Sequence, residues 1–207
     1  MHGPGLGTKL GAVDDDFELI GGREWREIRV IAHDPAWPER FARERRRIAA
    51  ALGCVARRID HVGSTAVPGL VAKPVIDIDL SVPDVEQEVD YLPRLLAAGY
   101  RLRVRQSGHR MVRTEARDVH VHICNTGSDW ERKHLLFRDW LRRDTGDREA
   151  YGHLKLQLAQ RDWADMNEYA DAKGPLIAEI TKRAETWART SGWDQPDSRT
   201  VIGTGST

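Results

Sequence analysis

Residues Val75 to Val82 read Val-Ile-Asp-Ile-Asp-Leu-Ser-Val, and no other stretch restricts the fold as much. Aliphatic residues interrupted at every second position by a polar one match the period of a strand. Ile76, Ile78 and Leu80 then share one face and Asp77 and Asp79 the other. Burying the aliphatic face fixes where the core lies and stands two carboxylates side by side opposite it. At that spacing the charges repel, and one carboxylate takes up a proton unless a cation intervenes. A hard divalent ion, Mg2+ or Mn2+, resolves the conflict and keeps coordination positions open for phosphate oxygens. The plainer alternative is a half-exposed strand with two solvated carboxylates.

The same alternation recurs in Val119-His120-Val121-His122-Ile123, which sends Val119, Val121 and Ile123 inward and puts His120 and His122 together on the other face. If the two strands are neighbours, two imidazoles meet two carboxylates, and the nitrogen donors make Zn2+ an additional candidate. Paired surface histidines are the competing reading. Gly63-Ser64-Thr65 follows a β-like stretch, and twelve residues, 65 to 76, separate Ser64 from Asp77. A small turn there lets backbone N–H groups and the Ser64 hydroxyl approach phosphate, although it also serves as an ordinary tight connection. Lys73 supplies a charge within reach of a triphosphate or a solvated loop residue. Arg138 and Arg142 lie four apart on one helix face, a spacing suited to phosphate or to a solvated basic surface. Lys155, one helical turn after Tyr151, is a further phosphate-binding candidate. Tyr151 itself stacks on a base or packs.

Residues 1–22, rich in Gly and carrying Asp14-Asp15-Asp16, read as a flexible leader, and 191–207 as a flexible tail. Between them, residues 23–190 form one folded domain. Its expected strands are Ile28–Ile31, Val55–Val62, Val75–Val82, Tyr100–Val104, Arg110–Thr114 and Val119–Cys124. A helix after Asp34 carries Trp37, Phe41, Ile48 and Leu52 and stops at Gly53. Another spans 84–98 with Pro93 as a kink and Gly99 as its stop. Three more lie near 130–143, 147–165 and 175–189, the first with a core stripe of Trp130, Leu135, Leu136, Trp140 and Leu141. Strands first and helices last describe an α/β (α+β) domain, a mixed sheet with flanking helices and a C-terminal helical segment.

Lys plus Arg and Asp plus Glu each number 32 in the 207 residues, so no net charge favours general nucleic-acid binding or an anionic membrane. No apolar run has the length of a membrane span, and the N-terminus lacks a signal-peptide core. Cys54 and Cys124 share no ligand spacing and read as small core residues in a reduced, cytoplasmic setting. No feature fixes an oligomeric state.

The segments His61-Val62-Gly63-Ser64-Thr65-Ala66-Val67-Pro68-Gly69-Leu70, Ala72-Lys73-Pro74 and Ile76-Asp77-Ile78 together resemble the GrpB family. The resemblance continues through Gly99-Tyr100, His120-Val121-His122, Phe137 to Arg142, Tyr151, Leu154-Lys155 and Tyr169 to Lys173. It implies a nucleotidyltransferase-like core with the Gly-Ser turn and the paired carboxylates at one site. The wider superfamily usually carries a third acidic residue on a later strand, where this chain has His120 and His122. The expectation that follows is a metal-dependent transferase acting on a nucleoside triphosphate and a small-molecule acceptor. In it Asp77, Asp79, His120 and His122 are catalytic or metal-binding, and Gly63, Ser64, Thr65, Lys73, Arg138, Arg142 and Lys155 bind phosphate. A hydrolase-like metal enzyme and a non-catalytic ligand-binding module remain as alternatives, because fold does not decide function.

Overall fold

The computed structural model describes residues 17–24 and 27–194. In chain order its elements are β1 (Glu18–Leu19), α1 (Trp37–Leu52), β2 (Arg58–Val62), β3 (Ile76–Val82), α2 (Leu92–Ala97), β4 (Tyr100–Gln106), β5 (His109–Thr114), β6 (Val119–Asn125), α3 (Asp129–Arg143), α4 (Thr145–Ala159), α5 (Met166–Asp171) and α6 (Gly174–Ser191). The strands form one mixed sheet in the order β1-β4-β5-β6-β3-β2. Only β3 and β6 run parallel, with Asp77 opposite His120 and Asp79 opposite His122. β2 runs antiparallel to β3, which puts Val62 beside Asp77 and leads the chain straight into the Gly63-Ser64 turn.

The aliphatic face behaves as the alternation requires. Ile76, Ile78, Leu80, Val121 and Ile123 are fully buried with Trp37, Ile48 and Leu52 of α1 and Leu95 of α2. Burial of side chains this size stabilises by about 1.5–3 kcal/mol each, which pins β3 and β6 in this register. The opposite face is left for α3, which packs on β2 and β6. Ser128 caps α3 by accepting from the Glu131 N–H at 3.4 Å, while the Glu131 carboxylate accepts from Gly127 N–H at 2.6 Å. Behind α3, α4 and α6 are fixed by two apolar clusters, one around Val67, Leu70, Leu141, Tyr151 and Ile180 and one around Leu136, Ala184 and Ala188. Tyr151 thus packs within the helical layer.

Several expectations are corrected. Ile28–Ile31 is no sheet strand; Ile31 alone pairs, with Ala72. The helix expected over 84–98 shrinks to Leu92–Ala97 because tertiary contacts claim the stretch before it. Val85 N–H donates to Asn125 Oδ1 at 2.7 Å, the Tyr91 hydroxyl donates to Val85 O at 2.5 Å, and Glu86 and Glu88 pair with Arg110. Pro93 starts this helix rather than kinking it, since the first turn needs no N–H from it. The helix expected over 147–165 stops at Ala159, and α5 forms separately. The sheet enters the expected leader at Glu18 and Leu19, which pair with Arg105 and Val104; residues 1–16 lie outside those described. α6 reaches Ser191, and Trp193 lies against Trp187, so the chain stays packed beyond the expected end of the domain at 190. Residues 195–207 lie outside those described. Cys124 is buried but Cys54 is exposed, at the close of α1 where the chain turns away from the core. Among the described residues no helix is long and apolar enough to cross a membrane.

Candidate functional site

Asp77 stands at the centre of the polar face. Its Oδ1 lies 3.4 Å from His120 Nδ1 and 3.9 Å from His122 Nε2. Burial alone would raise its pKa, but His120, His122 and Lys173 outweigh that and hold it below the usual carboxylate range. The carboxylate also presses on the loop after β2. Gly63 has φ 65° and ψ −168°, a conformation essentially restricted to glycine, and a Cβ built there would stand 2.7 Å from Asp77 Oδ2.

Asp79 has a different environment although it points the same way. It is 1 % exposed and accepts hydrogen bonds from His134 Nδ1 of α3 at 2.9 and 3.0 Å. Burial raises its pKa, and the His134 pKa is raised in turn by this partner. The two imidazoles of β6 therefore converge on Asp77, while Asp79 is engaged by a histidine of the next helix. Among the described residues no group of three or more His, Cys, Asp or Glu is placed so that it could hold a metal ion.

His122 is tied on its far side, where Nδ1 shares a proton with His109 Nε2 at 3.2 Å, and His109 stacks on Trp130 with ring centroids 4.0 Å apart. Burial drives His122 down to about 3 and His109 to about 4, so both are neutral at physiological pH.

On the β2 side, Lys155 Nζ donates to Ser64 Oγ at 2.9 Å and to the Val71 carbonyl. Burial, with Lys173 nearby, pushes Lys155 down to about 7. Tyr169 lies between two further ammonium groups, Lys73 at 4.8 Å and Lys173 at 4.7 Å from its ring centroid. Ser64, Lys155, Lys73 and Lys173 thus gather on one flank of Asp77.

The remaining expected phosphate ligands face elsewhere. Thr65 is buried, donates to Val75 O at 3.1 Å and accepts from His61 Nε2 at 2.9 Å, which locks the turn. Arg138 donates to His61 O at 3.1 Å and to Asp139 at 2.8 Å, and Arg142 donates to Ala66 O at 2.8 and 3.0 Å. Both guanidiniums therefore brace the Gly-Ser turn from behind. His134, His109, Lys173 and Tyr169 are the site residues for which the sequence reading gave no role or too small a one. His134 was accessible in principle, because it lies one helical turn from both Trp130 and Arg138 and so shares their face.

A six-stranded mixed sheet that carries a glycine-serine turn against a carboxylate-bearing central strand, with helices closing its polar face, makes this a mixed α/β domain with its polar site at one end of the sheet. The model of the family described as GrpB protein matches residues 27–183, and the chain belongs to that family. It is 51 % identical over 167 residues to a UPF0157 protein of Streptomyces coelicolor, covering 81 % of this chain and 89 % of that one. A crystal structure of conserved protein GrpB from Enterococcus faecalis superposes with a TM-score of 0.68 at 32 % identity, over 77 % of this chain and 99 % of that one. The chain is also 34 % identical over 195 residues to a dephospho-CoA kinase of Mycolicibacterium paratuberculosis, but these cover only 48 % of that protein's length and 80 % of this chain.

Proposed function

We propose that the chain binds a nucleoside triphosphate with a divalent cation at Asp77 and transfers the nucleotidyl group to a small acceptor. One observation carries the reading: an anionic Asp77 pressed against the Gly63 backbone, with Ser64 and Lys155 hydrogen-bonded to each other beside it. Gly63 and Ser64 seat the β- and γ-phosphates, and Lys155 and Lys173 balance their charge.

Two groups of the polar face, Asp77 and His122, could serve such a cation, with its remaining positions left to phosphate and water. Asp77 is ionised, and His122 is an unprotonated imidazole whose other nitrogen is held by His109, the support a ligating histidine normally has. Asp79, proton-sharing with His134, does not fit as a ligand in this arrangement. An oxygen-and-imidazole set suits Mn2+ better than Mg2+. When bound, the cation supplies Lewis-acid stabilisation of phosphate charge. His120 is placed to take the acceptor's proton as the acceptor oxygen or nitrogen bonds to the α-phosphorus. The α–β phosphoanhydride P–O bond then breaks, and pyrophosphate leaves with the bonding pair.

A second reading, a nucleotide-binding module without turnover, is favoured by the engagement of Asp79, which leaves one free carboxylate where transferases of this class use two or three. The mycobacterial relatives named dephospho-CoA kinase support nucleotide chemistry in the chain's surroundings rather than that activity in it, because it spans about half of them. Mn2+ titration with an α,β-methylene nucleotide tests the site. Asp77→Ala should abolish binding and Asp79→Asn should largely keep it; unchanged binding in Asp77→Ala would remove the assignment. Release of pyrophosphate from a nucleoside triphosphate supports transfer, whereas binding without release supports the module.

A further inference from the structure

A missing side chain lets α4 settle on the Gly-Ser turn. Gly152 has no Cβ, and one built there would stand 3.5 Å from Leu70 Cδ1 and Val71 Cγ2, so any longer side chain would hold the helix off the loop after Ser64. Lys155, three residues on, faces the same way and is carried into the interior, where it is only 3 % exposed. Its Nζ donates to Ser64 Oγ at 2.9 Å and to the Val71 carbonyl, and lies 4.6 Å from the Tyr151 ring centroid. Both hydrogen-bond partners are neutral oxygens. The charge acting on Lys155 is that of Lys173 at the start of α6, another cation. A buried ammonium ordinarily needs a paired carboxylate. Neutral oxygens and a like charge instead favour a lysine that sheds its proton and serves as a base. Once neutral, Nζ keeps an N–H for the Val71 carbonyl and turns its lone pair to the Ser64 hydroxyl.

Ser64 is presented for attack. It follows β2 through a sharp turn made by Gly63 at φ 65° and opens a short 3-10 helix, Ser64–Ala66. A glycine turn at a strand end is one way a fold lifts a serine clear of its sheet. Gly63 is exposed and Ser64 half-buried, so a small reagent meets the hydroxyl from solvent with Lys155 behind it.

We infer that Ser64 and Lys155 form a nucleophile and its base, and that the pair cleaves small activated carboxylic esters. Ser64 Oγ bonds to the acyl carbon as its proton passes to the Nζ lone pair. The C–O bond to the alcohol then breaks, and the alcohol oxygen leaves with the bonding pair and takes the proton from Nζ. Water completes the cycle: its oxygen bonds to the acyl carbon, its proton passes through Nζ to Ser64 Oγ, and the carboxylic acid leaves. This activity stands apart from nucleotidyl transfer although both use the turn. A phosphate seated there charges Lys155, whereas an ester leaves it neutral.

The full chain, in EDTA and without nucleotide, is treated with phenylmethanesulfonyl fluoride, and the adduct is located by peptide mass spectrometry. A single adduct on Ser64 is expected. Its rate should rise between about pH 6 and pH 8 and then level off, because burial pushes Lys155 down to about 7 and only the neutral amine accepts the proton. No adduct, an adduct elsewhere, or a rate flat over that range overturns the inference. Lys155→Met should slow labelling roughly 100-fold or more and remove the pH step. Lys155→Arg keeps donors for the Ser64 and Val71 oxygens but has no lone pair to give, so it should label as slowly. Labelling of Lys155→Arg at the wild-type rate would make Lys155 a structural clamp and overturn the inference. Melting temperatures confirm that the variants fold; if they do not, the adduct site and pH profile of the wild type decide alone. p-Nitrophenyl acetate should give a burst of one p-nitrophenolate per chain in the wild type and none in Ser64→Ala, and an equal burst in both overturns the inference. Binding of Mn2+ and nucleotide is measured separately, so either reading can fail while the other holds.

Discussion

Replacing Gly63 by alanine measures how closely the turn and Asp77 are fitted. Two costs add. At φ 65° and ψ −168° a Cβ is strained by itself, worth about 1–3 kcal/mol. The new methyl would also meet Asp77 Oδ2 at 2.7 Å, its Cβ at 3.1 Å and its Cγ at 3.2 Å, and overpacking of this kind costs about 1–3 kcal/mol. Gly63→Ala should therefore destabilise by about 2–6 kcal/mol, or roughly 2–4 °C in melting temperature for each kcal/mol in a chain of this size. The two costs separate in a double-mutant cycle. In an Asp77→Ala background the carboxylate oxygen and Cγ are gone, so the backbone strain and the 3.1 Å contact with the Cβ of residue 77 should remain, and the coupling energy should be about 1–2 kcal/mol. Urea denaturation of the four proteins reads it directly. Costs that add to within about 0.5 kcal/mol would refute the close approach and, with it, the placement of Asp77 against the Gly-Ser turn.

His134→Ala should leave Asp79 buried without its donor, at a cost of about 3 kcal/mol, the low end for a broken buried pair because His134 is partly exposed. The His134 pKa is raised in the folded state, so its charge-dependent contribution is complete below about pH 6.5 and is lost as pH rises through the raised value. Denaturation between pH 5.5 and 8.5 should show the difference from wild type largest at the acid end; a difference that grows with pH would contradict the pairing. Lys155, held near 7, is largely neutral at pH 8, and a bound phosphate should recharge it. Nucleotide affinity should fall as pH rises from 7, and calorimetry at pH 8 in buffers of different ionisation enthalpy should show proton uptake that Lys155→Met lacks. Equal heats in all buffers would place the phosphates elsewhere.

The strands that determine the site were readable because their period of two is enforced by burial. Val75–Val82 and Val119–Cys124 fall within a residue of the observed β3 and β6, and both polar faces point as the alternation requires. Elements whose state depends on partners distant in sequence were not readable. Residues 84–90 have helical patterning, yet Asn125, Arg105 and Arg110 claim their polar groups. Glu18 and Leu19 follow a glycine-rich stretch, yet the exposed edge of β4 recruits them. The site divides the same way. Sequence put Asp77, Asp79, His120 and His122 on one face, but which imidazole each carboxylate meets depends on the helix laid over that face, and so His134 was missed. Arg138 and Arg142 have the spacing of a phosphate clamp, but backbone carbonyls within the turn were the nearer acceptors.

Asp77 and Asp79 show how far position alone determines chemistry. They are two residues apart on one strand, on one face, with a histidine of β6 opposite each. What separates them is the depth of cover. α3 closes over Asp79 and supplies His134, so the carboxylate is sealed and its pKa rises. Asp77 lies one pair nearer the sheet end, where the chain opens into the Gly-Ser turn on one side and the Arg117 turn on the other, and His120 and Lys173 keep it charged. The strand end is thus the point where a carboxylate can be both ionised and accessible, beside the Gly-Ser turn and Lys173. A reaction at Asp77 needs no movement of α3, whereas recruiting Asp79 as a second ligand would require its bonds to His134 to break. Asp79→Asn therefore distinguishes a one-carboxylate site from a two-carboxylate one: Mn2+ binding that survives it keeps Asp79 in a structural pair, and binding that disappears shows that nucleotide entry rearranges α3.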